Sequence, residues 1–166
     1  MCLEAVAGGE MGAQWAIETL GLADTVKLLG PQEMVVLLPR VGVLALSSIS
    51  EALPIAILEG FAAGVPAVCT DVGACRILIE GDTAEDRAIG GAGAVVGIGD
   101  AQALGERALA LLTDPVAWRS ASQAGWQRVS TFYTEASMLS GYRMVYQRML
   151  RASIASDGSA DTLKDM

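Results

Sequence analysis

Histidine is absent from this 166-residue chain, and 11 lysines and arginines stand against 19 aspartates and glutamates, a net charge of −8. Without histidine, the commonest general base and the usual activator of a nucleophile are both missing. The three cysteines, Cys2, Cys69 and Cys75, are an odd number without metal-ligand spacing. That argues against a disulfide framework and, with no histidine, against a zinc site. Cys69 lies in a strand-like run and reads as a small apolar packing residue. Cys75 sits in a glycine-containing loop, where inert packing is favoured over a reactive thiol. The shortage of basic residues argues against a broad basic face for nucleic acid and against a polybasic anchor for anionic lipid. No apolar run approaches the ~20 residues that span a bilayer. No basic segment precedes an apolar one at the N-terminus, so a cytoplasmic location is the default expectation.

What the chain does have is apolar substance: 52% of its residues are hydrophobic, and the length suits one domain with a real core. Short apolar runs at Val26 to Leu29, Val41 to Leu46, Ala67 to Thr70 and Ala94 to Val96 read as buried strands. Between and after them, helices are expected over 11–21, from Pro54 to near Gly64, over Arg76 to Glu80, Ala101 to Leu112, Val116 to Phe132 and Glu135 to Ser153. Asp100 is placed to cap the Ala101 helix. Asp82, Thr83, Glu85, Asp86 and Arg87 read as a solvated turn. Gly90, Gly91, Gly93, Gly97 and Gly99 do not match G-x-G-x-x-G and read as a flexible turn around a buried strand. Strands alternating with helices predict an α/β fold, a Rossmann-like parallel sheet with helices on both faces. The expected domain spans residues 1–154, followed by a disordered tail over 155–166, rich in small and charged groups.

Ligands of such sheets bind beyond the carboxyl ends of the strands. Two loops, Ser47–Leu53 and Asp71–Arg76, leave predicted strands and are therefore expected on one rim. Pro54 reads as the first helical residue, where proline is pre-set and its missing N–H does not matter. The amides of Ile55, Ala56 and Ile57 then form a site for an anion such as phosphate, with Leu53 beside them. Glu59 is the one carboxylate of this apolar helix. It lies five residues past Pro54, roughly 7–8 Å further along the axis, where it could accept from both hydroxyls of a ribose. Glu51, on the other side of the phosphate, could accept from sugar hydroxyls. The spacing suits a nucleotide-sugar. The alternative is that Glu59 is a salt-bridged or solvent-edge residue and Glu51 an ordinary acid complementing the helix dipole. Arg76 could bring a cation near a phosphate or the sugar; its alternative is a surface or cap-side arginine. The late rings, among them Trp118, Trp126, Tyr133 and Tyr142, read as core and docking surface.

Glu51 and Glu59, with seven residues between them, followed by Gly64-Val65-Pro66, resemble the signature of retaining glycosyltransferases of family 4, which have the GT-B fold. The segments Leu46-Ser47-Ser48-Ile49-Ser50-Glu51, Ala62-Ala63-Gly64-Val65-Pro66 and Thr70-Asp71-Val72-Gly73-Ala74-Cys75-Arg76 are closer still to the glycosyltransferases of exopolysaccharide synthesis of the PelF type. The resemblance runs from about Trp15 to Arg148. It implies that Glu51 contacts the donor sugar and is the catalytic carboxylate, that Glu59 contacts the ribose, and that the backbone over Ile55–Ile57 meets the phosphates. It implies transfer of a sugar from a nucleotide-diphosphate donor, a UDP-sugar, to a growing saccharide, with no metal and no separate cofactor. The final helix of such a fold crosses back to the other domain. One departure is Ala52, where the family usually has glycine.

The family's enzymes have two Rossmann-like domains, and this chain resembles the second alone. The family's first strand there, with an arginine and a lysine for the diphosphate, is not recognisable before Glu10, and Met1–Gly9 is not expected to supply it. The chain thus reads as one half of a GT-B fold, truncated at its N-terminus. Its implied partners are the nucleotide-sugar donor, a saccharide acceptor, and a missing N-terminal domain or a membrane polysaccharide synthase complex. The rival reading is a non-catalytic nucleotide-sugar-binding or interaction module derived from the same fold. A nicotinamide-dependent dehydrogenase is weakened by the absent glycine fingerprint.

Overall fold

The structure, a computed structural model, describes residues 3–5 and 10–158, with side chains described over 12–151. By backbone proximity the chain divides into two compact units, Met1–Gly42 and Val43–Met166. The tail expected over 155–166 lies outside the described residues from 159 onward.

In the first unit, strand β1 (Leu3–Ala5) pairs in parallel with β2 (Val26–Leu28), Leu3 opposite Val26. Helix α1 (Glu10–Thr19) lies between them in sequence, and α2 (Met34–Leu37) and a 3-10 turn (Leu38–Arg40) follow. β1 places a strand within Met1–Gly9, where the family's first strand with its arginine and lysine was not expected. Three residues with a glutamate in the middle are too short to show an alternating pattern, so the sequence carried no strand signal there. The strand, Leu-Glu-Ala, carries neither an arginine nor a lysine.

The second unit holds a three-stranded parallel sheet in the order β3 (Leu44–Leu46), β4 (Ala67–Thr70), β5 (Gly93–Val96). Leu44 lies opposite Ala67, and Ala67 opposite Gly93. The run expected as a strand from Val41 therefore pairs only from Leu44. β4 is buried at all four positions, as the middle strand of a parallel sheet should be. The crossover from β3 to β4 is α3 (Ile55–Ala62); α4 (Cys75–Glu80) and α5 (Ala84–Arg87) connect β4 to β5. Three long helices follow: α6 (Ala101–Thr113), α7 (Pro115–Phe132) and α8 (Glu135–Gly158). Among the described residues, no helix is long and apolar enough to cross a membrane.

Local chemistry explains the helix ends. Asp100 accepts from the Ala103 N–H, as expected, and Asp114 accepts from Val116 and Ala117 ahead of Pro115. α3 stops at Gly64. Its φ of +76° lets its own N–H reach the Phe61 carbonyl while the Val65 N–H reaches Gly60, the two bonds of a Schellman closure. Pro54 is the residue before the helix, with ψ of 100°, and Ile55 is the first helical position. That corrects the reading of Pro54 as the opening helical residue by one place.

The core joins Ile57 and Phe61 of α3, Cys69 of β4, Cys75 and Leu78 of α4 and Ala124 of α7. α7 approaches α3 closely because Gly125 presents no side chain. A Cβ there would stand 2.7 Å from the Phe61 ring. Ser122, one turn earlier, donates to the Gly64 carbonyl at 2.6 Å.

Of the turn expected to be solvated, Asp82, Thr83, Glu85 and Arg87 are exposed, but Asp86 is buried and anchors an ion pair. Thr83 caps α5 by accepting from the Asp86 N–H, and the Asp86 side chain points inward. Arg128 of α7 is fully buried, and its Nε donates to Asp86 Oδ1 at 2.5 Å. Nη1 donates to the carbonyls of Leu78 and Ile79 at 3.2 and 3.0 Å. Nη2 donates to those of Asp86 and Gly90 at 3.1 and 2.8 Å. Asp86 Oδ2 accepts from the Asp82 N–H at 2.9 Å. All five donors of the guanidinium are used. Periodicity cannot show this, because Asp86 lies among polar neighbours and its partner is 42 residues away.

Removing the arginine leaves the Asp86 charge buried without its cation and the Leu78 and Gly90 carbonyls without the donor it supplies. Arg128→Ala is expected to destabilise the fold by about 3–5 kcal/mol, measured by chemical denaturation. Arg128→Lys should recover little of it, since an ammonium has three donors and no fork.

Candidate functional site

The loops that leave β3 and β4 do meet on one rim. The Ala74 N–H donates to the Ala52 carbonyl at 3.0 Å. Thr70, the last residue of β4 and buried, donates its hydroxyl to the Ser48 carbonyl. Gly73 passes directly under the Glu51 peptide: a Cβ on it would lie 2.0 Å from the Glu51 carbonyl oxygen, and its φ is +49°. Only glycine accommodates both the space and the backbone angle.

Glu51 is half-buried in the first loop, and its Oε1 accepts from the Ser48 hydroxyl at 2.7 Å. Leu53 and Ile55 are exposed, Ala56 is half-buried and Ile57 fully buried. No side chain caps α3 at Pro54. The Ile57 N–H donates to the Pro54 carbonyl at 3.1 Å, so of the three amides expected to face an anion, those of Ile55 and Ala56 remain for it. Glu59 is exposed and lies four residues after Ile55, on the same stripe of the helix. Among the described residues it has no ion-pair partner.

Arg76 lies on the second loop's helix, and its guanidinium is already engaged. Nη2 and Nε meet the two Asp71 oxygens at 2.7 and 3.2 Å, and Nη1 meets Glu80 at 2.7 Å. The Asp71 hydrogen bond and charge, then Glu80, raise its pKa above the ordinary arginine value. The group is half-exposed, so these pairs do more to orient it than to stabilise the fold.

Beneath the rim, Cys69 and Cys75 are both buried. Burial first, then the neighbouring Cys75 and Asp71, push the Cys69 thiol up to about 12, against a smaller opposing effect of Arg76. Among the described residues no group of three or more His, Cys, Asp or Glu side chains converges as a metal site.

The sequence reading gave no role to Ser48, Thr70 or Gly73, though all three lie in the motif segments. The available signal was a hydroxyl ending an otherwise apolar strand, a serine three residues before the carboxylate, and a glycine at a strand exit.

Parallel strands feeding helices, with two loops joined over a helix start, define one Rossmann-like half of a GT-B fold. Residues 4–114 match the family of glycosyl transferases group 1, more than half of the chain, and the chain belongs to that family. It is 38% identical over 108 residues to an exopolysaccharide phosphotransferase of Streptomyces coelicolor, covering 63% of this chain and 10% of that protein. It is 28% identical over 137 residues to the N-acetyl-alpha-D-glucosaminyl L-malate synthase of Bacillus anthracis, covering 81% and 34%. Among solved structures it superposes on sucrose-phosphate synthase from Thermosynechococcus elongatus with a TM-score of 0.73 at 19% identity, covering 91% of this chain and 38% of that one. It superposes on Anabaena HepE in complex with UDP and glucose with a TM-score of 0.72 at 18% identity, covering 88% and 39%. The chain thus spans a tenth to about a third of the curated relatives it matches.

Two outcomes follow from the rim. Gly73→Ala forces the Glu51 peptide away and is expected to lower the thermal midpoint and to loosen the 47–53 segment in hydrogen exchange. The buried Cys69 thiol should resist alkylation at pH 8 until the chain is denatured. Because burial penalises the thiolate, stability should be unaffected by this group below about pH 9 and fall as pH rises toward 12, which a pH series of denaturation curves would follow.

Proposed function

We propose that this chain is the donor-binding domain of a retaining glycosyltransferase of family 4. The reaction is transfer of a sugar from a nucleotide-diphosphate donor, a UDP-sugar, to a growing saccharide in exopolysaccharide synthesis, in the cytoplasm. One observation carries the reading: Glu51 is held at the rim by the neighbouring loop, beside a helix start whose first amides are uncapped. Glu59 is exposed one turn further along, with no ion-pair partner among the described residues. In this reading the diphosphate lies on the Ile55 and Ala56 amides, the sugar hydroxyls reach Glu51 and the ribose hydroxyls reach Glu59. Charge that develops on the leaving diphosphate is met by the amides and dipole of α3. No protein nucleophile is required. HepE, solved with UDP and glucose, supports the donor class, and the exopolysaccharide phosphotransferase supports the pathway.

A second reading, a nucleotide-sugar-binding module without turnover, is favoured by one feature. Arg76, the arginine of the rim, is already paired with Asp71 and Glu80.

Calorimetry with UDP, UDP-glucose and NAD tests the donor reading. UDP and UDP-glucose should bind and NAD should not. Glu59→Ala should weaken both uridine ligands about 10- to 100-fold, the loss of a carboxylate hydrogen-bonded to hydroxyls. Glu51→Ala should weaken UDP-glucose more than UDP. Binding of NAD alone, or unchanged UDP affinity in Glu59→Ala, overturns the reading. Turnover of UDP-glucose with a saccharide acceptor separates the enzyme from the binding module.

A further inference from the structure

We propose that Ser48 and Thr70 are positioning residues that hold the Glu51 carboxylate in one orientation, so that it meets the donor sugar already ordered. The chain of contacts is short and directional. Thr70 is anchored in the buried middle strand and donates to the Ser48 carbonyl. That bond fixes the Ser48 backbone at the mouth of the first loop. The Ser48 hydroxyl then spends its one proton on Glu51 Oε1 at 2.7 Å. From the other side, the Ala74 N–H on the Ala52 carbonyl and the close passage of Gly73 hold the Glu51 peptide itself. Among the described residues Glu51 Oε2 has no hydrogen-bond partner, which leaves it to accept from a ligand.

The physical gain is entropic and geometric. A glutamate on a free loop must be ordered when its ligand arrives, at a cost to binding; one whose carboxylate is already hydrogen-bonded has lost that freedom on folding. Tying its loop to a buried strand also gives the carboxylate a rigid support. The bland account is that Ser48 and Thr70 stabilise the loop as ordinary turn contacts, with no bearing on where the carboxylate sits.

The consequence for sugar recognition rests on the donor-binding reading above; the orientation of Glu51 does not, so two readouts on the full chain separate them. The first needs no ligand: carboxylate carbon NMR of Glu51. In Ser48→Ala the Glu51 side-chain signal should move and broaden toward rotamer averaging, and in Thr70→Val, which keeps shape but not the donor, it should follow. Ser48→Thr and Thr70→Ser should restore it. A Glu51 signal unchanged in Ser48→Ala overturns the proposal, and this variant, at a half-buried loop position, does not depend on Thr70→Val folding. The second readout is the affinity ratio of UDP-glucose to UDP. Ser48→Ala should lower it about five- to tenfold while UDP affinity holds. An equal loss for both ligands means a general loosening of the loop and overturns positioning. If the wild-type chain binds neither ligand, the donor reading fails while the NMR result still decides the orientation of Glu51.

Discussion

The buried guanidinium of Arg128 sets the geometry on which the rest of the second unit depends. Burying an unpaired cation costs several kcal/mol even after relaxation, and the chain meets that cost by giving every donor an acceptor. Those acceptors are not incidental groups. The Leu78 and Ile79 carbonyls belong to the last turn of α4, where carbonyls lack intrahelical partners and the helix dipole is negative. The Gly90 carbonyl lies just ahead of β5, and Asp86 comes from α5. One side chain on α7 therefore closes three separate segments of the α4–β5 connection. Methionine could fill the volume but would take from the Leu78 and Gly90 carbonyls the donor that Arg128 supplies and leave the Asp86 charge without its cation.

This anchor reaches the rim through α4. The helix is fixed at its C-terminal end by Arg128, and its N-terminal end follows directly from the loop that carries Gly73 and Ala74. α3 is held in a comparable way. Phe61 packs against the bare Gly125, and Ser122 caps the Gly64 carbonyl, so α7 fixes the C-terminal end of α3 as well. In both helices the end away from the rim is tied down and the end at the rim carries the candidate chemistry. A site built this way keeps its backbone in place while its first amides stay uncapped, which is the arrangement preorganised anion binding requires.

Much of this was legible in the chain itself, for identifiable reasons. β4 announces itself through an apolar run and the helix from Ala101 through the capping acid Asp100, and the meeting of the two loops follows from parallel topology alone. Glu51 and Glu59 stand out because acids are rare in their surroundings. What stayed hidden depended on distance in sequence or on brevity. Asp86 looked solvated because its neighbours are polar and Arg128 is far along the chain. β1 is three residues long. Ser48 and Thr70 are unremarkable until a hydrogen bond between loops joins them, and the bond from the Ile57 amide to the Pro54 carbonyl exists only once α3 begins one residue later than proline statistics suggest.

Arg76 shows how the rim's charges constrain one another. Asp71, Glu51 and Glu59 are acidic, and the arginine among them is shared between Asp71 and Glu80. A phosphate drawn to that arginine would have to compete with a two-point carboxylate contact, the geometry a guanidinium favours most. The neutral amides at the start of α3 face no such competition, because no described side chain caps them. The Asp71–Arg76 pair lies within the second loop and its helix and orders that loop, while Ala74 and Thr70 make its bonds to the first loop. On this balance the cation acts on its own loop, and the uncapped start of α3 remains the site proposed for an anion.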